Sequence, residues 1–174
     1  MRRRIMAACQ TTADGVTIGG IMAVMTLFIG SSSAARSQAR AVIRKFASPT
    51  LKFLPWWDAF TAGRTLLEDL DSIRAKVSGA LLLFSPESTT RIRNKKYDLP
   101  NLNVLFEFAY FYGHLGRKRV AMLKYGEFYL PSDLGGYIHI AGSPSFRRGA
   151  TVQVGKRTSR ELERWVSQLR REST

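Results

Sequence analysis

The sequence predicts an α/β protein built on a doubly wound, mostly parallel sheet of five strands. Short apolar runs rich in strand-forming residues alternate along the chain with longer segments whose apolar residues recur at helical spacing. One run, residues 79–85, is almost wholly apolar, which is typical of a central parallel strand covered on both faces. Strands that alternate with helices pair in parallel through right-handed crossovers.

The first half of the chain is expected to form three strands and two helices. Gly and Ser close the first strand, and Pro55 stops the second. Between the strands, apolar residues recur every three or four positions, which predicts amphipathic helices. These elements are a strand at 24–30, a helix at 34–47, a strand at 50–55, a helix at 64–77 and the apolar strand at 79–85.

The second half completes the sheet. It is expected to form a helix at 101–115, a strand at 119–124, an edge strand at 137–140 and a closing helix at 159–171. Five strands in a chain of this length favour the flavodoxin-like strand order. In that fold, ligands bind at the carboxyl ends of the strands, near the point where the strand order reverses.

The composition fits one domain and restricts its chemistry. The 174 residues include one cysteine, Cys9, and two histidines, too few for an intramolecular disulfide or for a metal centre built from these residues. We therefore expect no metal and a reducing, cytoplasmic location. The net charge of +14 predicts attraction to anions, but scattered solvated charge is favoured over a specific nucleic-acid surface. No membrane partner is expected.

Residues 1–21 are expected to lie outside the domain. The start MRRR and the uncharged run 15–35 resemble a targeting segment, but the run contains four glycines and three serines and is too weakly apolar to span a bilayer. We favour a disordered extension, or translation that begins at Met22 or Met25. On either interpretation the domain is 22–174.

Two loops at the carboxyl edge of the sheet carry candidate binding residues. The GSSS turn places Ser31 and Ser32 at the start of a helix, where hydroxyl and N–H groups are suited to a phosphate, although most such turns are only helix caps. The loop after the second strand begins WWDAF, and two adjacent tryptophans face different ways. One is expected in the core and one at the rim, so Trp57 or Phe60 would stack on a ligand ring.

Glu107 is the single carboxylate in the aromatic stretch NVLFEFAYFYGHLG. An ionised carboxylate without a partner is costly to bury, so Glu107 either faces solvent or lines a pocket. Asn103 lies four residues earlier on the same helical face and is a candidate to orient the carboxylate, whose pKa desolvation would raise. The alternative is a buried structural pair with an arginine such as Arg64 or Arg117.

One carboxylate is sufficient to cleave the N-glycosidic bond of NAD+. Glycosidases that act on O-glycosides use two carboxyl groups, because the leaving alkoxide must be protonated. Nicotinamide leaves NAD+ as a neutral molecule, so no general acid is required. A fixed carboxylate beside the ribose then stabilises the oxocarbenium-like transition state. Glu107 is the candidate catalytic residue, with NAD+ as substrate and no cofactor.

The motifs at this edge resemble one known family. TLFIGSSS, WWDAFTAGRTLLEDL, GALLLFSPES, NVLFEFAYFYGHLGRKRVAML and LPSDLGG, within residues 24–140, are similar to the bacterial TIR-like nucleotide-binding domain of effectors in the cyclic-nucleotide-triggered antiphage systems CBASS and Pycsar. The resemblance implies a TIR-like fold, NAD+ hydrolysis with nicotinamide release, and a catalytic role for Glu107. It also implies self-association and a separate sensor partner, since neither flank is long enough for a sensor domain.

Two positions depart from the family pattern, and other functions stay open. The family often has Arg-Asp where this chain has Asn101 and Leu102, and a carboxylate pair where this chain has only Glu87. The alternatives are a non-catalytic, self-associating or nucleotide-binding adaptor, an enzyme similar to nucleoside deoxyribosyltransferases, and a basic nucleic-acid-binding protein.

Overall fold

A computed structural model of the protein describes residues 24–134, 136–142 and 152–172. The predicted extension 1–21 lies outside these residues. The strands are β1 (Met25–Ser31), β2 (Leu51–Pro55), β3 (Gly79–Phe84), β4 (Pro86–Ile92), β5 (Lys95–Pro100), β6 (Val120–Lys124) and β7 (Ile138–Ala141). The helices are α1 (Arg36–Phe46), α2 (Trp56–Ala59), α3 (Leu66–Arg74), α4 (Leu102–Leu115) and α5 (Lys156–Glu172).

The main sheet has the predicted flavodoxin-like strand order. Its five strands are arranged β2-β1-β3-β6-β7, and every pairing is parallel. The order reverses beside β1, so the loops after β1 and β3 diverge there and leave a crevice at their carboxyl ends. The α/β fold class is confirmed, and β7 lies at the edge of the sheet as predicted.

Two apolar layers cover the two faces of the sheet. Side chains alternate along each strand, so Leu27 and Ile29 of β1 pack with α1 and α5, whereas Phe28 packs with α3 and α4. β3 is buried along its whole length, which explains its nearly continuous apolar sequence. The sheet is therefore doubly wound, with α4 on the face that Phe28 enters.

A hairpin of β4 and β5 was not predicted from the sequence. Its strands form a separate antiparallel sheet of two strands, and most of its residues are exposed. The turn places Arg93 and Asn94 at φ values of 47° and 64°, as turns of two-residue hairpins require. The end of the motif GALLLFSPES, from Pro86 onwards, is therefore the start of β4. Its polar sequence lacks the apolar alternation that identifies a strand with a buried face.

Helix α4 turns one side of its aromatic sequence towards the sheet. Asn101 caps the helix, because its Oδ1 accepts hydrogen bonds from the N–H groups of Asn103 and Val104 at 3.0 and 3.3 Å. The buried side chains of α4 are Val104, Glu107, Phe108 and Phe111. Their spacing follows the helical period, so Glu107 belongs to the inward face. Among the helices in the described ranges, none is long and apolar enough to cross a membrane.

Gly30 lets β1 pass close beneath α4. A Cβ atom at this position would lie 2.3 Å from Leu82 Cδ1 and 2.9 Å from Glu107 Oε2. Leu82 is fully buried. The absence of a side chain at residue 30 therefore makes room for the Glu107 carboxyl group.

We predict that Gly30→Ala lowers the free energy of unfolding by about 1–3 kcal/mol, because it overpacks this contact. The matched control is Gly113→Ala in α4, where an added Cβ would meet nothing within 4 Å. That substitution should stabilise the protein by up to about 1 kcal/mol through helix propensity. Urea unfolding of both variants is the measurement, and equal stability of the two would contradict the contact.

Candidate active site

A cleft of about 280 Å³ opens at the carboxyl end of β1. It lies where the turn after β1, the helix α2 and the beginnings of α3 and α4 meet. Its walls contain five of the six side chains predicted as site residues: Ser31, Ser32, Phe60, Asn103 and Glu107. The other lining residues are Ser33, Trp56, Leu66, Asn101 and Val104. The edge on which the sequence placed the site is therefore where the structure has a cleft.

Glu107 is buried in the wall of this cleft and has no polar partner there. Its residue is 6% exposed, and its Oε2 atom has no hydrogen-bond partner among the described residues. Burial raises the pKa of the carboxyl group from 4.5 to about 7, because the charged form loses its hydration. Near neutral pH the group is therefore divided between its neutral and charged forms.

The alternative of a buried ion pair at Glu107 is wrong. Arg64 Nε lies 3.5 Å from Asp69 Oδ1, and its Nη2 donates to the carbonyl of Glu68. Arg117 is exposed in the turn after α4, beyond the carboxyl end of the helix. Neither cation neutralises Glu107, so its negative charge, when present, acts on whatever occupies the cleft.

The serine turn is more tightly bonded than predicted. Ser31 Oγ donates to the carbonyl of Ser32 and accepts from Trp56 Nε1, both at 3.0 Å. Ser32 Oγ accepts from the N–H of Ala35 at 3.3 Å. Both hydroxyls thus hold the turn and the neighbouring indole in place. Ser33 is exposed at the same turn and also lines the cleft, although it was not among the predicted site residues.

The two tryptophans take the opposite positions to those predicted. Trp56 lines the cleft, whereas Trp57 packs against the apolar layer under α1, with its ring plane at 80° to that of Trp56. Trp57 is therefore not at the predicted stacking position. The register explains this placement: Pro55 pairs with Ile29, so the next residue, Trp56, lies beside the end of β1 and reaches Ser31.

Phe60 and Asn103 lie at the cleft as predicted, but the expected hydrogen bond is absent. The Phe60 ring lies 6.5 Å from the ring of Phe28, which anchors it at the base of the wall. Asn103 is exposed and makes no hydrogen bond to Glu107. The neighbouring amide of Asn101 instead donates to Glu87 Oε2 at 3.0 Å and connects the start of α4 to the hairpin. Asn101 was not predicted as a cleft residue, because an asparagine just before a helix is typical of a helix cap.

The loop between α2 and α3 is fastened beside the cleft. Thr65 and Glu68 form a capping box at the start of α3, and the N–H of Thr61 donates to Asp69 Oδ2 at 2.9 Å. These bonds fix the segment that carries Phe60 and Leu66. Within the described parts of the chain, no three His, Cys, Asp or Glu side chains gather as metal ligands would.

Comparison with known proteins identifies the family. The family model of the TIR domain of CAP12/Pycsar effector proteins matches residues 26–143. The chain belongs to this family. The match spans the sheet from β1 to β7 and includes every residue that lines the cleft. The family resemblance predicted from the sequence motifs is confirmed.

Several curated relatives share this TIR domain. CD-NTase-associated protein 12 from Lachnospiraceae bacterium (strain RUG226) is 31% identical over 108 residues, which are 62% of this chain and 34% of that protein. The Pycsar effector proteins BcPycTIR from Burkholderia cepacia and PaPycTIR from Pseudomonas aeruginosa are 30% and 31% identical over 113 residues. These cover 63% of this chain and 37% of each relative. The chain thus matches about a third of the length of these relatives.

We predict that the burial of Glu107 makes stability depend on pH. Between about pH 4.5 and 7 the folded protein keeps a proton that the unfolded chain has released, so the free energy of unfolding falls as the pH rises. Glu107→Gln carries no such proton. The free energy of unfolding of the variant should therefore rise relative to that of the wild type across this interval. The difference should reach up to about 3 kcal/mol above pH 7.

Urea unfolding from pH 4 to 8.5 measures this difference. The control is Glu163→Gln on α5, an exposed glutamate whose variant should follow the wild-type curve. Parallel curves for wild type and Glu107→Gln would show that the carboxyl group titrates normally in the folded protein.

Proposed function

We propose that this TIR domain is an NAD+ nucleosidase that hydrolyses NAD+ and releases nicotinamide. The observation that carries the proposal is the Glu107 carboxyl group, which is buried in the cleft wall and has no cation beside it in the described part of the chain. Burial makes the charged form of this group costly, and a positive charge beside it stabilises that form. The oxocarbenium-like ribose that forms as nicotinamide leaves is a charge of this kind.

The reaction needs little else from the protein. The bond between C1′ of the ribose and the ring nitrogen breaks, and the nitrogen keeps the electron pair, so nicotinamide departs neutral. Water then adds to C1′ and loses a proton, which gives ADP-ribose. Glu107 in its charged form stabilises the positive ribose electrostatically and is not consumed. The burial of Glu107 strengthens this electrostatic interaction, because little water is present to screen it.

The other cleft residues suit the remaining parts of the substrate. Trp56 and Phe60 offer apolar faces at the same wall as Glu107, where a nicotinamide ring would lie. Ser33 and the backbone of the turn from Ser31 are placed at the start of α1, where a phosphate would be favoured. Asn103 is exposed at the rim, within the cleft, and would meet the ribose hydroxyls.

The names of the relatives support a role in antiphage defence. They are described as CD-NTase-associated proteins and Pycsar effectors. We propose that a separate partner senses the cyclic nucleotide signal and switches on NAD+ cleavage by this domain. Depletion of NAD+ in the infected cell would then be the effect of activation.

A second candidate function is that of a self-associating adaptor, which an exposed apolar patch favours. Leu66, Leu67, Leu102 and Phe106 are each at least 39% exposed, and they lie at the beginnings of α3 and α4. Such a patch beside a cleft is suited to a second copy of the domain. Assembly at high concentration without nicotinamide release would support the adaptor function and contradict the enzyme.

We predict that wild-type protein at high concentration releases nicotinamide from NAD+ and that Glu107→Gln lowers the rate at least about 100-fold, because the neutral amide cannot stabilise the ribosyl cation. For the wild type, kcat/KM should rise with pH and level off above about 7, as Glu107 ionises. Chromatography of NAD+ and its products measures both effects.

The exposed Glu163→Gln variant serves as the control and should retain the wild-type rate. Equal rates for Glu107→Gln and wild type would remove the catalytic role of Glu107. Cleavage of deoxynucleosides, with NAD+ left intact, would instead indicate a deoxyribosyltransferase-like enzyme.

A further inference from the structure

Three arginines of α1 form one wall of a groove next to the cleft. Arg36, Arg40 and Arg44 are four residues apart, so they project from the same side of the helix on successive turns, each about 6 Å further along the axis. The groove has a volume of about 470 Å³. We call it the arginine groove, and its other lining residues are Ser33, Ala34, Ser37 and Val152.

The three guanidinium groups have no carboxylate partner among the described residues. Arg36 Nε is buried and makes no hydrogen bond, although a guanidinium N–H group is a strong donor. Arg44 has only a long hydrogen bond, 3.4 Å, to the carbonyl of Val152. The first turn of α1 contains no acidic residue that would neutralise the row. This part of the surface is therefore cationic.

Trp57 holds the first two arginines in position. The guanidinium carbons of Arg36 and Arg40 lie 4.7 and 5.6 Å from the centre of the Trp57 ring. A cation over an indole face is stabilised there and loses freedom to move into solvent. Trp57 therefore supports the arginine groove. Its ring restricts the guanidinium groups of Arg36 and Arg40 more than solvent alone would.

The arginine groove and the cleft meet at Ser33. This residue lines both, at the turn between β1 and α1. Ser33 is thus the point at which a ligand with its reacting end at Glu107 could continue into the arginine groove. Two adjacent phosphates match such a row well, because guanidinium groups bind phosphate oxygens through paired hydrogen bonds.

We propose that the arginine groove binds the adenylate half of NAD+, through its organic diphosphate. The proposal rests on the proposed function and adds to it the residues that select a dinucleotide. Nicotinamide mononucleotide contains the same scissile bond and one phosphate but lacks the adenylate. The arginine groove would therefore favour NAD+ over the mononucleotide, while Glu107 acts on both.

The first test compares these two substrates in the full chain. Arg40→Gln and Arg44→Gln should each lower kcat/KM for NAD+ about 10-fold or more and lower kcat/KM for nicotinamide mononucleotide by a much smaller factor, because the mononucleotide brings only one of the two phosphates to the groove. The matched control is Lys45→Gln, which removes an exposed cation of α1 that does not line the groove. Loss of activity on both substrates alike, or on neither, would overturn the proposal. An equal change for both is also what a separate effector nucleotide would produce.

The second test does not need turnover. Calorimetry of ADP binding to Glu107→Gln should give a dissociation constant that rises about 10-fold or more when Arg40→Gln is added. If NAD+ is not cleaved and this arginine-dependent binding is present, the proposed function fails but the site stands. If NAD+ is cleaved and ADP binds equally with and without Arg40, the site fails but the proposed function stands.

Discussion

The structure of the cleft depends on the burial of one carboxyl group without a partner. Glu107 lies on the inner face of α4 beside Val104, Phe108 and Phe111, and its desolvation opposes folding whenever it is charged. The cost is a few kcal/mol. Full burial of Phe108 and Phe111 contributes roughly 1.5–3 kcal/mol each, so the apolar side of α4 is sufficient to hold the helix in place.

No cation of the described residues lies beside Glu107, and this is as important as its burial. A carboxylate paired with an arginine would be charged at all ordinary pH values, but its field would be largely cancelled at the cleft. Arg64 is kept away by Asp69 and the carbonyl of Glu68, and the bonds that do so also fix the loop that carries Phe60. The same local network therefore shapes the wall and leaves the carboxyl group uncompensated. This is the arrangement that a developing positive charge in a substrate requires.

The sequence was sufficient to predict the main sheet and the buried carboxyl group in the cleft wall. Apolar runs and helical periods identified the five parallel strands, and a carboxylate among aromatic residues identified Glu107. The hairpin was not predicted because most side chains of β4 and β5 are exposed, so their sequences show no alternation of apolar and polar residues. Trp57 was predicted at the rim in place of Trp56, because the directions of the two side chains depend on the register of β2 against β1. No local sequence pattern specifies that register. The serine hydroxyls were candidates for a phosphate, but they bond within the turn, and the bond of Ser31 to Trp56 joins residues 25 positions apart, which no local pattern specifies.

The most direct test of this account is an NMR titration of the Glu107 carboxyl carbon in protein labelled with ¹³C at glutamate, assigned by the signal that disappears in Glu107→Gln. The burial of Glu107 predicts that this signal has a midpoint near pH 7. A Glu107 midpoint at the ordinary value of about 4.5 would contradict it, because the carboxyl group would then be hydrated or paired in solution.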